Sequence, residues 1–330
     1  RLAALTLVAL TAAACVYLVW VFVLRVSQRP SYALTFSGLL ALSAAHLVFG
    51  SVTETYIFSA FGLILFFVML LSRERPVRGF LLPGLLTLGI TVTNVVQSLI
   101  GFALVRRDGR EWIRFVSLLL ATGVALTVLT ALIYPKSMGL FYVPSDLLLE
   151  SKHAAHLEAG ARISSRFVQV TKSLFFYDVV AVPPDVTIVE KGGRDSFPKF
   201  NYFQPPFGLK EYLSNRFALP PFILWSLLLV GAVTRFLWRG KKSSYFSFQL
   251  AFLAILFFNL GMHLFYGFEP FLYTPNWTYA LLFFVALSLD EIKKQEWVDW
   301  ALILLLALLL VNNGLFLRVM ANHLSPFFPG

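Results

Sequence analysis

A single acid, Glu54, lies in a short polar stretch, residues 51–56, between two long apolar stretches. A carboxylate is costly to keep near lipid. An acid at a junction between two predicted membrane spans is therefore a candidate functional residue. Thr53 and Tyr56 lie beside it, and the group could bind a sugar hydroxyl, a metal ion or an attacking hydroxyl. The structural alternative is an acid facing water at the start of a helix that Thr53 caps.

A second acid, Glu269, lies in another predicted junction between spans and has aromatic residues around it. Tyr273, Asn276 and Trp277 follow it along the chain. Aromatic rings beside a carboxylate suit the apolar face and the hydroxyl groups of a sugar. The alternative is a belt of interfacial aromatic residues around a solvated acid.

Histidines supply further candidate groups. His46 and His263 lie near predicted outer ends of spans, where each could bind a lipid phosphate. The alternative for both is a hydrogen-bonded interior histidine. His153 and His156, with Glu158 nearby, have a spacing that a metal ion accepts, but that stretch lacks a third strong ligand. Polar positions on an amphipathic helix explain them better, so no cofactor is assigned and a divalent cation is left open.

The composition indicates a membrane protein with several spans. Hydrophobic residues make up 58% of the 330 residues and charged residues 13%, whereas soluble chains average about 45–50% and about 25%. The net charge of +10 comes from short basic clusters between apolar runs, which is the positive-inside pattern and not a nucleic-acid surface. Cys15 is the only cysteine, which excludes an intrachain disulfide. The absence of phosphate-loop and dinucleotide-binding motifs leaves nucleotide chemistry without support.

The apolar run 79–105 predicts a helical hairpin. It is long for one span and short for two, and Thr93 and Asn94 lie near its middle. A single crossing would place the basic clusters at 73–78 and 106–114 on opposite faces, against the positive-inside rule. Two short helices that turn near Thr93 and Asn94 place every basic cluster on one face. The polar tip must then be buried in protein or line a cavity.

The predicted fold is all-α and polytopic, with about nine or ten transmembrane or half-spanning helices. Residues 1–134 form the N-terminal transmembrane helices, including a re-entrant-like hairpin at 79–105. Residues 135–217 form one outer, periplasmic segment. Residues 218–330 form the C-terminal transmembrane helices.

The outer segment contains a predicted amphipathic helix that begins near Ser145 and either lies on the membrane surface or caps the spans. Residues from 183 to 206 are predicted as an ordered loop. The helix is indicated by positions that recur at alternating steps of four and three: Leu149, His153, His156, Gly160, Ile163, Phe167, Val170 and Leu174.

Residues 49–60, FGSVTETYIFSA, resemble the span junction of bacterial GT-C membrane glycosyltransferases, in the branch akin to protein O-mannosyltransferases. In that branch a Glu followed closely by Tyr begins a long apolar helix, and a pair of short helices follows a basic loop. The resemblance covers residues 1–135 well, whereas residues 218–318 share only the general character of the family. It matches Glu54 to the family's second acidic position, which has a secondary role in positioning donor or acceptor.

The resemblance implies an inverting glycosyltransferase at the outer face of a bacterial inner membrane. Its donor would be a sugar on a polyprenyl phosphate in the membrane lipid, and its acceptor a lipid, a glycan or a protein. The family's usual base lies in the first outer loop, so it is expected upstream of Arg1 in an N-terminally truncated chain. The candidate acids are Glu54 and Glu269. The candidate substrate-binding residues are Thr53, Tyr56, His46, Asn94, His263, Tyr273, Asn276 and Trp277.

Two other classes stay open. A transporter of a small solute or lipid also places polar breaks, such as that at residues 91–97, near the membrane midplane. An O-antigen polymerase or ligase has a large outer loop whose Arg and His residues do the chemistry. Arg162, Arg166, His153 and His156 keep that class open.

Overall fold

The computed structural model describes residues 2–72, 74–134, 137, 161–182, 186–191, 195–200, 210–267, 269–290 and 296–325. Within these residues, five helices are long and apolar enough to cross a membrane. They are compatible with the predicted helical multi-pass membrane protein. These helices are Leu2–Ser27, Gly109–Ile133, Leu219–Lys242, Phe246–Phe265 and Glu296–Leu324.

The helices are numbered in chain order. The N-terminal part contains α1 (Leu2–Ser27), α2 (Pro30–Leu42), α3 (Ala44–Phe49), α4 (Tyr56–Leu70), α5 (Leu81–Ile90), α6 (Val95–Arg106) and α7 (Gly109–Ile133). The C-terminal part contains α8 (Ala161–Lys172), α9 (Lys210–Ser214), α10 (Leu219–Arg239), α11 (Phe246–Phe265), α12 (Pro275–Asp290) and α13 (Glu296–Leu324). Short 3-10 turns are Val77–Phe80, Val92–Asn94, Gly240–Lys242 and Pro270–Tyr273, and a π-helical turn, Ser173–Tyr177, follows α8.

Two strands form an antiparallel pair in the segment for which the sequence predicts an ordered loop. β1 (Val186–Lys191) pairs with β2 (Asp195–Phe200), with Val186 opposite Phe200 and Lys191 opposite Asp195. The pair adds a β-hairpin to the predicted all-α fold. The β-branched run that opens β1 favours a strand, and it is the signal that the loop prediction overlooked.

Helix α12 lies at the centre of the bundle, and every one of its residues is buried. It packs against α1, α2, α4, α10 and α11. A helix that is apolar on all sides belongs in such a position. Aromatic rings fill the space around it: Phe283 stacks on Phe22 of α1 at 3.9 Å between ring centroids and lies 5.3 Å from Phe252 of α11.

The outer surface of the bundle is also apolar. Leu7 and Leu10 of α1 and Leu129 and Leu132 of α7 are exposed. Exposed apolar side chains along helices of spanning length suit contact with the hydrocarbon core of a bilayer. The described helices therefore combine a packed interior with a lipid-compatible surface.

Helices α5 and α6 form two short arms that turn back on each other. The ring of Phe80, just before α5, lies 5.4 Å from the ring of Phe102 near the end of α6. Arg106 also donates a hydrogen bond to the backbone carbonyl of Arg75. The reversal falls at residues 91–94, where Thr91 has an extended conformation. The sequence analysis places the turn at the same point.

A non-helical segment, residues 178–182, is buried beside α3 and α13. Buried backbone groups need hydrogen-bond partners, and Asn313 of α13 supplies several. Its Nδ2 donates to the carbonyls of Val179 (2.8 Å) and Leu42 (2.6 Å), and its Oδ1 accepts from the N–H of Ala181 (2.9 Å). One side chain therefore holds the segment against two neighbouring elements.

Candidate functional site

Two acids from distant parts of the chain meet at one end of the bundle. We call this the Glu54 end and define it by residues 50–56, 161–182, 263–267 and 269–277. Glu54 is exposed in the loop between α3 and α4, and Glu269 is half-buried where the turn before α12 begins. Tyr56 begins α4 directly after the Glu54 loop, and its ring lies 5.6 Å from that of Tyr273, which ends the turn that follows Glu269. The structure thus brings the segments of the two predicted acids together at these two tyrosines.

Beside the acids, aromatic rings form a continuous row. The ring of Tyr56 lies 5.6 Å from that of Tyr273, which lies 4.5 Å from His263. His263 in turn lies 5.1 Å from Trp277 at the start of α12. The row places four of the predicted substrate-binding residues together. Tyr56 and Tyr273 are half-buried, whereas His263 and Trp277 are fully buried.

Arg166 of α8 fastens the end of α11. Its guanidinium donates to the backbone carbonyls of His263 (3.0 Å), Tyr266 (3.5 Å) and Gly267. The last carbonyls of a helix lack partners within the helix, and a positive charge there is favourable. Arg166 therefore holds the turn that carries Glu269, a structural role that explains this arginine without chemistry of its own.

Three buried polar atoms lie next to the aromatic row without a hydrogen-bond partner in the described part of the chain. They are Nε2 of His263, Oδ1 of Asn276 and Nε1 of Trp277. Most buried polar atoms in native proteins are hydrogen-bonded, so a group of three calls for an explanation. A ligand hydroxyl or an ordered water would satisfy such a mixture of donors and acceptors.

Thr53 is exposed and does not cap α4. The N-cap position of that helix is Thr55, and no side chain caps it. The cap that the structural alternative assigns to Thr53 is therefore wrong. The rest of that alternative agrees with the structure, since Glu54 is exposed just before α4. Thr53 stays beside Glu54 in the same exposed loop.

His46 is buried in the interior and not in the aromatic row. Its Nε2 lies 3.0 Å from the backbone carbonyl of Ala12, which requires that this nitrogen carry the proton. This hydrogen bond agrees with the alternative interpretation of His46 as a hydrogen-bonded interior histidine. The ring also borders a cavity of about 10 Å³, which is room for about one water. The cavity is lined by Leu40, Ala45, His46, Ala60, Ile64, Pro275, Thr278 and Tyr279.

Asn94 belongs to a buried polar network inside the bundle and not to the exposed surface around Glu54. Its Nδ2 donates to Ser59 Oγ at 2.7 Å, and its Oδ1 accepts from Gln97 at 3.2 Å. Gln97 accepts from the Tyr279 hydroxyl at 3.0 Å and lies 3.5 Å from Asn259 Oδ1. The tip of the α5–α6 hairpin is thus buried in protein, as a polar break at this depth requires.

Asp178 is a fully buried acid that the sequence analysis did not single out. Its Oδ2 accepts from Thr278 of α12 at 3.2 Å, and Oδ1 has no partner among the described residues. Burial raises the pKa of Asp178 well above the usual range, against the smaller opposite effect of the Thr278 hydrogen bond. The signal in the sequence that could have identified Asp178 is its position as the one acid within the apolar stretch 174–182.

Within the described residues, no group of three or more His, Cys, Asp or Glu side chains could hold a metal ion. His153, His156 and Glu158 lie outside the described residues, as does the beginning of the predicted amphipathic helix. The open question of a divalent cation therefore concerns only Glu54 and Glu269 within the described site.

No protein family model, curated protein or solved structure matches the chain. The class of the protein accordingly follows from its own helices, which are compatible with a multi-pass membrane protein. The Glu54 end is the part of the described structure where acids, aromatic rings and buried polar atoms lie together.

Proposed function

We propose that the chain is a membrane glycosyltransferase of the GT-C type whose site is the Glu54 end. It transfers a sugar from a polyprenyl-phosphate donor to a lipid, glycan or protein acceptor at the outer face of the membrane. The observation that carries the proposal is the meeting of Glu54 and Glu269 beside Tyr56 and the aromatic row. Acids and rings from separate segments are the groups that a sugar site needs.

In the reaction, the acceptor hydroxyl oxygen attacks the anomeric carbon of the sugar, and its proton passes to a carboxylate base. The bond between the sugar and the phosphate oxygen breaks, and polyprenyl phosphate leaves with the electron pair. The resemblance assigns the base to a different acid from the one that Glu54 matches. Glu54 and Glu269 then act as positioning acids that accept hydrogen bonds from sugar or acceptor hydroxyls.

The test is sugar transfer from a polyprenyl-phosphate donor, measured in membranes that contain the full-length protein. Glu54→Gln and Glu269→Gln remove the negative charge and keep the side-chain size. We expect each to lower the transfer rate at least about tenfold, because a hydrogen bond to a charged group is worth about 1.5–3 kcal/mol. Glu296→Gln is the matched control, since Glu296 is exposed at the start of α13. Its rate should equal that of the wild type.

The proposal fails if Glu54→Gln and Glu269→Gln both transfer sugar at the wild-type rate while the protein remains folded. Equal losses in all three variants would also contradict it, because the effect would then not be specific to the Glu54 end. Thermal unfolding of each variant in detergent separates lost chemistry from lost fold.

A transporter of a small solute or lipid is the second candidate. The buried network of Asn94, Gln97, Asn259 and Tyr279 favours it, because transporters place polar breaks inside the membrane region. Uptake into proteoliposomes distinguishes the two classes. A transporter would lose uptake in Gln97→Leu and keep it in Glu54→Gln, whereas the glycosyltransferase would show no uptake at all.

A further inference from the structure

Helix α8 has an apolar face that is only half covered by the bundle. Ile163, Phe167, Val170 and Leu174 follow one another at steps of four, three and four residues, so they share one side of the helix. Val170 and Leu174 are buried, whereas Ile163 is 44% exposed and Phe167 46% exposed. The face begins in the protein core and runs outwards to positions that the described residues leave uncovered.

The position of α8 shows what lies beside its uncovered half. Arg166 binds the carbonyls of His263 and Gly267, which fastens α8 to the end of α11. Helix α11 has spanning length and composition, so its end lies at the boundary of the bilayer. Phe265, its last residue, is itself 60% exposed. The uncovered half of α8 is thus held at the level where the apolar surface of a span ends.

We infer that α8 is an interfacial helix and that Ile163 and Phe167 insert into the lipid of the bilayer. An amphipathic helix lies in the interface with its apolar side in the boundary between headgroups and acyl chains. The polar side of α8, which carries Ser164 and Ser165, then faces water. The sequence left two roles open for this helix, a cap on the spans or a surface helix. The covered half of α8 serves as a cap and the uncovered half contacts lipid.

This arrangement links lipid contact to the candidate site. The same helix that reaches the lipid with Phe167 holds, through Arg166, the turn that carries Glu269 and Tyr273. The inference itself does not depend on glycosyl transfer. It requires only that the chain resides in a bilayer.

Site-directed nitroxide labelling tests the inference on the full chain in phosphatidylcholine nanodiscs. Cys15 is the only cysteine and is buried, so the wild-type chain serves as the unlabelled blank. Labels are placed with Ile163→Cys and Phe167→Cys, and Ser165→Cys is the matched control on the opposite side of the same helix. Collision rates are measured with oxygen, which partitions into lipid, and with a water-soluble nickel chelate.

Labels at 163 and 167 should collide several-fold more with oxygen than with the nickel chelate, and the label at 165 should show the reverse. Equal ratios at all three positions would overturn the inference, because the whole helix would then lie in water. Protection of 163 and 167 from both reagents would also overturn it, and would identify protein as the cover of this face. Circular dichroism of each labelled chain verifies that the fold is intact.

Discussion

At the end of the bundle opposite the Glu54 end, two acids are paired with bases. Asp299 of α13 forms an ion pair with Arg29, which lies between α1 and α2. Oε2 of Glu111 lies 3.8 Å from Nε of Arg106. Within the described residues, Glu54 and Glu269 form no ion pair. We call this opposite region the Arg29 end.

The backbones of the two ends also differ. At the Arg29 end, α7 begins with an ordinary N-cap, in which the Asp108 carboxylate accepts from the N–H groups of Arg110 (2.8 Å) and Glu111 (3.1 Å). The Glu54 end contains the buried non-helical segment 178–182 and Gly267, whose φ is +78°. A positive φ does not by itself separate the two ends, because Gln28 (φ +56°) and Arg107 (φ +57°) lie at the Arg29 end. The buried non-helical segment is the difference.

The charged residues of the two ends have different partners. At the Arg29 end, each paired acid neutralises a base of the same protein. At the Glu54 end, the guanidinium of Arg166 binds backbone carbonyls and not the two acids. Changes at the Arg29 end should therefore alter stability slightly. Changes at the Glu54 end should alter either the support of the site or its chemistry.

Asn313→Leu is expected to have the largest effect on stability. It leaves the N–H of Ala181 and the carbonyl of Leu42 without their side-chain partner in the interior, whereas the carbonyl of Val179 still accepts from the N–H of Ala44. Each unsatisfied buried group costs about 1–3 kcal/mol, so the free energy of unfolding should fall by about 3 kcal/mol or more. Denaturant unfolding in detergent micelles measures the loss.

Asn322→Leu is the matched control for Asn313→Leu. Asn322 lies on the same helix and is exposed, so its replacement should change stability by less than about 0.5 kcal/mol. Similar losses in the two variants would mean that the segment 178–182 does not depend on Asn313. The Glu54 end would then have a different support from the one described.

Gly267→Ala should disturb the aromatic row at the Glu54 end. A Cβ at this position would lie 2.5 Å from the Tyr273 ring, and the positive φ strains any residue with a side chain. We expect a loss of about 1–2 kcal/mol in stability and a lower transfer rate, because Tyr273 must move. Gly261→Ala in α11 is the control, since its Cβ would meet nothing within 4 Å. A fully active Gly267→Ala would show that Tyr273 has no part in the site.

Charge and polarity along the chain account for much of what could be predicted of the fold. The run 79–105 was split at Thr93 and Asn94 because arginines flank it on both sides, and the structure breaks the helix at residues 91–94. Such a prediction needs only local information, since the positive-inside rule compares neighbouring loops. The β-hairpin at 186–200 was missed because proline and glycine around it favoured a loop.

Contacts between distant residues could not be predicted in the same way. Asn313 binds Val179 and Leu42 across more than a hundred positions of sequence, and a single sequence contains no signal for that pairing. The same limit applies to Arg166, whose partners lie at the end of α11. A buried amide in an apolar run indicates that the side chain has a hydrogen-bond partner. The sequence does not show which residue that partner is.

The candidate site was predictable by residue type and less so by position. Glu54, Glu269, Tyr273 and Trp277 were chosen because acids and aromatic residues at span junctions suit sugar chemistry, and they do come together. Asn94 was chosen for the same polarity, yet it lies in the interior with Gln97. Polarity identifies groups that need partners, whereas the packing of the helices decides whether those partners are protein or ligand.

A change in pH dependence separates a buried acid from a paired one. Burial raises the pKa of Asp178, so the folded protein keeps a proton that the unfolded chain loses above the usual aspartate pKa of about 3.9. Stability therefore falls as the pH rises from about 4 towards the folded-state pKa. Asp178→Asn has no proton to lose, so its stability should decline less over the same range.

Melting temperatures of wild type and Asp178→Asn at pH 5, 7 and 8 measure this difference, which should grow in favour of the variant as the pH rises. Asp299→Asn is the control at the Arg29 end. Its side chain is 31% exposed and paired with Arg29, so it should cost about 0.2–1 kcal/mol at neutral pH. If Asp178→Asn follows the wild-type pH dependence, Asp178 is ionised in the folded protein. The hydrogen bonds from Thr278 and from the backbone would then outweigh the cost of burying the charge.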